Sequence, residues 1–377
     1  MRKTKVSICR LTNYEPENVR ETLIKLLEPF GGITHFVKEG ENILLKPNFL
    51  APKAENTGVT THPEIIRQAA KLASEAALKK VEVTDSPGIG SVKSCSKALN
   101  LVDDEFMIIN NSKDAVWINP PKQGLQKLHM LKSIKDCDGV INLPKAKTHG
   151  QMIITAAVKN TFGAIAGLEK VQWHMRMGRD NNKFGQLVVH IHEMVAPRLN
   201  ILDAVTAMEG NGPGNGTPRP LNFLMASDNA HAMDLVLCKI WDINPNKIYT
   251  LDAAKKMGLL PEYEDIEICG NKPEEFTPAP KWKMATPAGI SNIIGPKWMA
   301  PLIEKLFTTK PLIKHKGCTQ CLECKKHCPA DAISNINNKM IIDYNKCISC
   351  FVCQEICPEG TILVHSGLLA KTLKLGR

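Results

Sequence analysis

From residue 4 to about 270, short apolar runs alternate with amphipathic stretches. That alternation predicts an α/β domain built on a mostly parallel sheet flanked by helices. Strands are expected at Val6 to Leu11, Asn42 to Leu45, Val81 to Thr84, Gly139 to Leu143, Asn200 to Leu202, Asn222 to Ala226 and Ile266 to Cys269. Pro16 opens a helix whose apolar face is Val19, Leu23, Leu26 and Leu27, and Gly31-Gly32 stops it. A second helix begins at Thr61-His62-Pro63-Glu64 and turns Ile65, Ile66, Ala69, Ala70 and Leu72 toward the sheet.

The unusual polar residues all follow predicted strands, the edge at which open α/β sheets bind ligands. Lys46-Pro47-Asn48 follows one strand and Asp85-Ser86-Pro87-Gly88 another. Lys145, Lys147, Thr148 and His149 follow a third, while Asp203 and Asp228 follow two more. Lys159-Asn160 is expected on an otherwise apolar helix after His149. Met208 to Arg219 carries Glu209, Gly210 and Gly212 in a glycine-rich loop that matches neither the P-loop nor the dinucleotide fingerprint. It is either an anion cradle or a mobile connection. His190 and His192 are two apart on a predicted helix, hence on different faces, and are expected to pack rather than share a metal. Trp173 to Arg179 suggests either a basic loop able to close over an acidic ligand or a solvated loop.

The 13 cysteines change the picture. Five stand alone (Cys9, Cys95, Cys137, Cys238, Cys269) and are expected to behave as small apolar residues. The other eight fall in two runs, Cys318, Cys321, Cys324, Cys328-Pro329 and Cys347, Cys350, Cys353, Cys357-Pro358, offset by 29 residues. No apolar stretch is long enough to span a membrane and no apolar signal segment opens the chain, so a cytoplasmic location and metal or redox use of the thiols are expected. Two such runs resemble the bacterial two-cluster ferredoxins over about residues 312 to 365. In that pattern Cys318, Cys321, Cys324 and Cys357 hold one 4Fe-4S cluster, and Cys347, Cys350, Cys353 and Cys328 the other. The resemblance also implies a small α+β module and fast electron exchange between its clusters. Paired zinc sites, which usually use two CxxC pairs or mix in histidine, fit less well.

The stretches LLKPNFL (44–50), TTHPE (60–64), TDSPG (84–88), INLPKAKTH (141–149), AAVKNTFG (156–163), VQWH (171–174), LDAVTAMEGNGP (202–213) and ASDNAHAMD (226–234) together resemble the domain-of-unknown-function 362 family. Its members often carry a C-terminal ferredoxin module, but the resemblance supplies no reaction. The expected organisation is an α/β domain over 1–270, a Pro-rich basic linker with a short helix over 271–311, the two-cluster module over 312–365 and a basic tail over 366–377.

The formal charge of +10 falls to about +6 once two clusters of about −2 each are counted. Without an aromatic-interleaved basic stripe or a known module, nucleic acid is not expected as a partner. Residues 281 to 316 carry seven lysines against Glu304, and Trp298 to Phe307 offers an apolar face expected to pack against the two domains; docking to a membrane surface or an acidic redox partner stays open but is not favoured. The leading expectation is an anaerobic iron–sulfur oxidoreductase. In it Lys46, Asn48, Lys145, Lys147, Lys159, Asn160, Glu209, Gly210 and Gly212 bind a small anionic substrate, while Asp85, His149 and Asp203 carry protons or ligate a metal. One alternative is an electron carrier whose α/β domain docks a redox partner protein. Another is a nucleotide- or phosphate-dependent transferase or ligase with structural clusters, using Asp85, Asp203, Glu209 and Asp228 around Mg²⁺. Flavin, divalent metal and oligomeric state stay open.

Overall fold

The computed structural model describes residues 3–120, 127–167, 169–170, 173, 180–285 and 310–365. The basic loop expected around 173–179 lies outside them except for the buried Trp173, as do the apolar linker helix and the basic tail.

Sixteen strands are present among the described residues: β1 (Thr4–Arg10), β2 (Ile43–Pro47), β3 (Val81–Val83), β4 (Met107–Ile109), β5 (Ala115–Ile118), β6 (Leu128–Leu131), β7 (Gly139–Leu143), β8 (Lys145–His149), β9 (Ile153–Thr155), β10 (Leu199–Glu209), β11 (Thr217–Ser227), β12 (Ile266–Gly270), β13 (Lys310–Ile313), β14 (Ile333–Ile336), β15 (Lys339–Ile342) and β16 (Ile362–His365). The central sheet runs β12-β1-β11-β10-β7-β2-β3-β4, with β8 and β9 attached beside β10. It is mostly parallel; β11 runs against β1 and β10, and β9 against β8.

Helices cover both faces because sheet residues alternate between two cores. Leu44 and Val140 join the core built on the helices Asn181–Val195 and Ala230–Ile240. Ile43, Leu45 and Ile141 join the one beneath the helices Pro16–Leu27 and Pro63–Ala77. Proline occupies the first helical position of both latter helices, where its missing N–H costs nothing. His62 caps the second by accepting the Glu64 N–H at 3.2 Å.

Three expectations change here. Asp203 does not follow a strand but lies inside β10, which runs on to Glu209, and pairs with Lys145 of β8. Lys145 to His149 is not a loop but the strand β8, fully buried and folded against β9. Because β11 is antiparallel, its end lies at the opposite edge of the sheet: Asp228 is exposed and sits beside Lys3 and Lys5 at the start of β1.

The C-terminal module pairs β13 with β16 and β14 with β15. Its sequence repeat is also a backbone repeat. Left-handed residues occur at Gln320, Leu322 and Asp331 and, 29 positions on, at Ser349, Phe351 and Gly360. Each run therefore bends between successive cysteines in the same way, which turns their thiols toward one centre.

Candidate functional site

A cavity of about 800 Å³ lies where the C-terminal edge of the sheet meets the cysteine module. Asn48, Asp85, Lys147, His149, Lys159 and Asn160 line it from the α/β side. His327, Val352, Glu355 and Ile356 line it from the module. Val352 precedes Cys353 and Ile356 precedes Cys357 in the sequence, so the segment that carries these cysteines forms part of the cavity wall.

The module is fastened to this edge by polar contacts. Lys53 donates to the Pro358 carbonyl at 2.9 Å and Asn215 to the Gln354 carbonyl at 2.8 Å. The glycine-rich loop acts in this docking. A Cβ on Gly212 would come within 2.1 Å of the Thr148 carbonyl, and one on Gly214 within 3.1 Å of the Glu355 carbonyl. Of this loop only Pro213 reaches the cavity. Gly210 and Gly212 therefore pack behind the wall, and Glu209 is engaged elsewhere by Arg219 at 2.7 Å and the Lys283 N–H at 3.1 Å.

His149 is held in one tautomer. Its Nδ1 accepts the N–H groups of Gln151 and Met152, both at 3.1 Å, which leaves the proton on Nε2, 3.1 Å from Glu355 Oε1. Burial lowers its pKa, so the ring is neutral at pH 7. The cavity's cations are perturbed in the same direction. Burial, reinforced by the charges of Lys145 and Lys159, brings Lys147 down to about 7. Burial also takes Lys159 to about 8 and Lys170 to about 7. Lys159 stands over the Phe162 ring at 4.6 Å, and Lys170 donates to the Ser86 carbonyl.

Lys147 donates to Asn48 Oδ1 at 2.9 Å and to the Val59 carbonyl at 2.7 Å. From there carboxamides donate in sequence: Asn48 to Asn160 (2.8 Å), Asn160 to Asn142 (2.8 Å), Asn142 to Asn200 (2.8 Å) and Asn200 to the Ser227 carbonyl (3.2 Å). All four asparagines are buried, so the file satisfies polar groups that would otherwise be costly inside the sheet.

Two buried ion pairs flank this file. Lys46 meets Asp85 at 2.8 Å, and Asp85 also accepts the Phe49 N–H at 2.8 Å. Lys46 is 1% exposed and does not line the cavity. Gly163 makes room for the pair, since a Cβ there would lie 2.1 Å from Asp85 Oδ1 and 2.7 Å from Lys46 Nζ. Gly163→Ala is therefore expected to cost about 3 kcal/mol, combining overpacking with loss of a buried pair. A urea-denaturation midpoint indistinguishable from wild type would contradict it.

The second pair, Lys145 and Asp203 at 2.7 Å, is sealed away from the cavity. Tyr14 donates to Asp203 at 2.9 Å and the His62 N–H donates to it at 3.0 Å. Tyr14 stacks on the His62 ring at 3.5 Å. Burial followed by the Asp203 charge raises the Tyr14 pKa well above its usual value, and burial brings His62 down to about 4. The four carboxylates considered for Mg²⁺ thus do not converge: Asp85, Asp203 and Glu209 each neutralise a different cation, and Asp228 lies at the far edge. Sequence reasoning missed Glu355, Lys170, Tyr14 and His62. Glu355 was concealed within a cysteine run, and the other three acquire their partners only through the fold.

In the module, Cys318, Cys321, Cys324 and Cys357 surround one small cavity, and Cys328, Cys347, Cys350 and Cys353 surround another. Backbone N–H groups already point at thiols: Ala332 to Cys328 at 3.2 Å, Ser349 to Cys347 at 3.4 Å and Thr361 to Cys357 at 3.3 Å. Four sulfurs per cavity with N–H donors to sulfur fit 4Fe-4S clusters. Cys95 and Cys238 are buried, as expected for small apolar residues, while Cys9, Cys137 and Cys269 are half-buried.

A family model described as domain of unknown function (DUF362) matches residues 43–239. The chain belongs to the DUF362 family. A 4Fe-4S dicluster domain matches residues 310–358, so this DUF362 protein is an iron–sulfur protein with an electron-transfer module. It is 36% identical over 288 residues to the thylakoid-associated protein sll1697 of Synechocystis sp., covering 74% of this chain and 87% of that one. Among the described residues no helix is long and apolar enough to cross a membrane.

Among solved structures, the lactate racemase apoprotein from Thermoanaerobacterium thermosaccharolyticum is similar at 12% identity and a TM-score of 0.39, over 62% of this chain and 57% of that chain. A Thermotoga maritima protein is similar at 13% identity and a TM-score of 0.38, over 59% of this chain and 57% of that one. The DUF362 chain thus spans less than two thirds of either, and these likenesses carry no argument about its chemistry.

Proposed function

We propose that this DUF362 protein is an oxidoreductase that binds a small anionic molecule in the cavity between its two parts and reduces or oxidises it there. One observation carries the proposal: the same cavity has lysines and a histidine on one wall and the segment bearing Cys353 on the other. When bound, 4Fe-4S clusters supply single electrons at low potential. The remaining tasks fall to the chain. Lys147, Lys159 and Lys170 supply positive charge for a carboxylate, phosphate or sulfonate. The apolar lining of Phe49, Phe162, Val352 and Ile356 excludes water and favours a ligand with an apolar body. His149 Nε2–H, facing Glu355, holds a proton at the boundary between the two walls.

The pKa values give this reading a sign. A lysine binds an anion only when protonated, and Lys147 and Lys170 titrate near 7. Anion binding must therefore take up protons, and affinity must fall as pH rises above about 7. Calorimetric titration of the cluster-loaded protein with anilinonaphthalene sulfonate, an aromatic anion, tests this. Affinity is expected to fall about tenfold between about pH 6 and pH 9, and about tenfold on Lys147→Met or Lys170→Met. Binding indifferent to pH and to both substitutions would remove the anion site. Electron exchange with a reductase that is unchanged in both variants, with no turnover of any carboxylate or phosphate tried, would favour the carrier reading instead.

A further inference from the structure

His192, Glu193 and His231 form a cluster outside the cavity. His192 and Glu193 lie in the last turn of the helix Asn181–Val195, and His231 lies in the first turn of the helix Ala230–Ile240. One potential ligand atom from each lies within 4.8 Å of the others. Neither helix contributes a residue to the cavity lining, and none of the three belongs to the cysteine module.

We propose that these three side chains bind one divalent cation of the zinc class, which clips the two helices together. The argument rests on geometry and donor chemistry. His231 Nε2 and Glu193 Oε1 are 3.5 Å apart, at the outer limit of a hydrogen bond. Two ligands each about 2.05 Å from a tetrahedral zinc are separated by about 3.4 Å, so the observed spacing fits ligands that share an ion. The His192 and His231 rings stand 5.4 Å apart at 77°, presenting an edge to a face rather than stacking.

Both histidines are buried, at 6% and 4% exposure, and their Nδ1 atoms have no hydrogen-bond partner among the described residues. A buried imidazole is favoured in its neutral form, which carries a lone pair for a metal. Imidazole, imidazole and carboxylate together form a donor set that suits zinc and leaves a fourth position for water. The half-buried Glu193 keeps the cluster within reach of solvent.

The clip also bears on the cavity wall. Asp234, one turn beyond His231, accepts the N–H groups of Ala157 at 2.8 Å and Val158 at 3.2 Å. It thereby anchors the turn that presents Lys159 and Asn160. A cation at His231 would hold the start of the helix that makes this anchor.

The test uses anaerobically prepared, cluster-loaded full-length protein, so that the module's thiols are already occupied. It is incubated with Zn²⁺, freed of excess by gel filtration, and its zinc and iron are counted by mass spectrometry. About one zinc per chain is expected in addition to the cluster iron, with retention at least about tenfold weaker in His192→Asn and His231→Asn. Unchanged iron, together with an unchanged urea-denaturation midpoint in the absence of zinc, shows that both the module and the α/β domain of these variants are folded. Glu193→Gln, at a half-buried position, supplies a milder variant with the same expected direction. A wild-type protein that retains no zinc, or zinc retained equally by all three variants, overturns the proposal.

Discussion

Lys145→Met is expected to destabilise the cluster-loaded protein by about 3–5 kcal/mol, measured by urea denaturation at pH 7, while leaving the composition of the cavity lining intact. The size follows from where Asp203 would be left. Both members of the pair are 0% exposed, and the lysine is the cation that compensates the carboxylate. The Tyr14 hydroxyl and the N–H groups of His62 and Val205 would still contact Asp203, at 2.9, 3.0 and 3.3 Å, but hydrogen bonds alone do not neutralise a buried charge. Met resembles lysine in volume, so a cavity does not account for the loss. Lys145→Met combined with Asp203→Asn should recover much of it, because the second change removes the stranded charge. A single variant with near wild-type stability but weakened anion binding would instead make Lys145 a ligand-binding residue.

Iron content should reveal how the two cysteine runs share their clusters. The structure places Cys328 with Cys347, Cys350 and Cys353, and Cys357 with the first run. Cys328→Ser and Cys350→Ser therefore damage the same cluster. Each should lower the iron of the anaerobically reconstituted protein from about eight to about four per chain, and the double variant should also keep about four. If each run supplied its own fourth ligand, the double variant would lose both clusters and hold almost no iron. Cys350→Ser should also loosen the cavity wall, since Cys350 packs with Val352 and Ile356. A variant that retains about four irons but binds the aromatic anion as wild type does would detach the cavity from the second cluster.

Much of this organisation is visible in the chain itself. The strands at Val6, Ile43, Val81, Gly139 and Ile266 are carried by apolar runs bounded by turn formers, and their alternation is enough to give a sheet with helices on both sides. The cysteine spacing carries the module. What pattern does not carry is β8, whose Lys145, Lys147 and His149 suggest a solvated loop. They are buried because Asp203, Asn48 and Glu355, distant by 58, 99 and 206 residues, supply their partners. The direction of β11 was equally hidden. A strand's residues show its two faces but not which way it runs, so pattern alone puts Asp228 at the wrong edge. Of the polar residues singled out, those that converge on the cavity come from β8, from just beyond β2 and β3, and from the short helix Ala157–Asn160 after β9. Lys46, Lys145, Asp203 and Glu209 were consumed in neutralising one another or their neighbours.

The file of asparagines from Asn48 to Asn200 has a polarity of its own. Every carboxamide receives a hydrogen from the previous group and passes one to the next, so none can be inverted without setting two NH₂ groups, or two carbonyl oxygens, face to face. Aspartate at any rung lacks the donor, and leucine lacks both functions, so either change leaves a neighbouring rung without its partner. Lys147 stands at the head of the file, and its orientation in the cavity is thereby tied to a carbonyl on the last residue of β11, four side chains away.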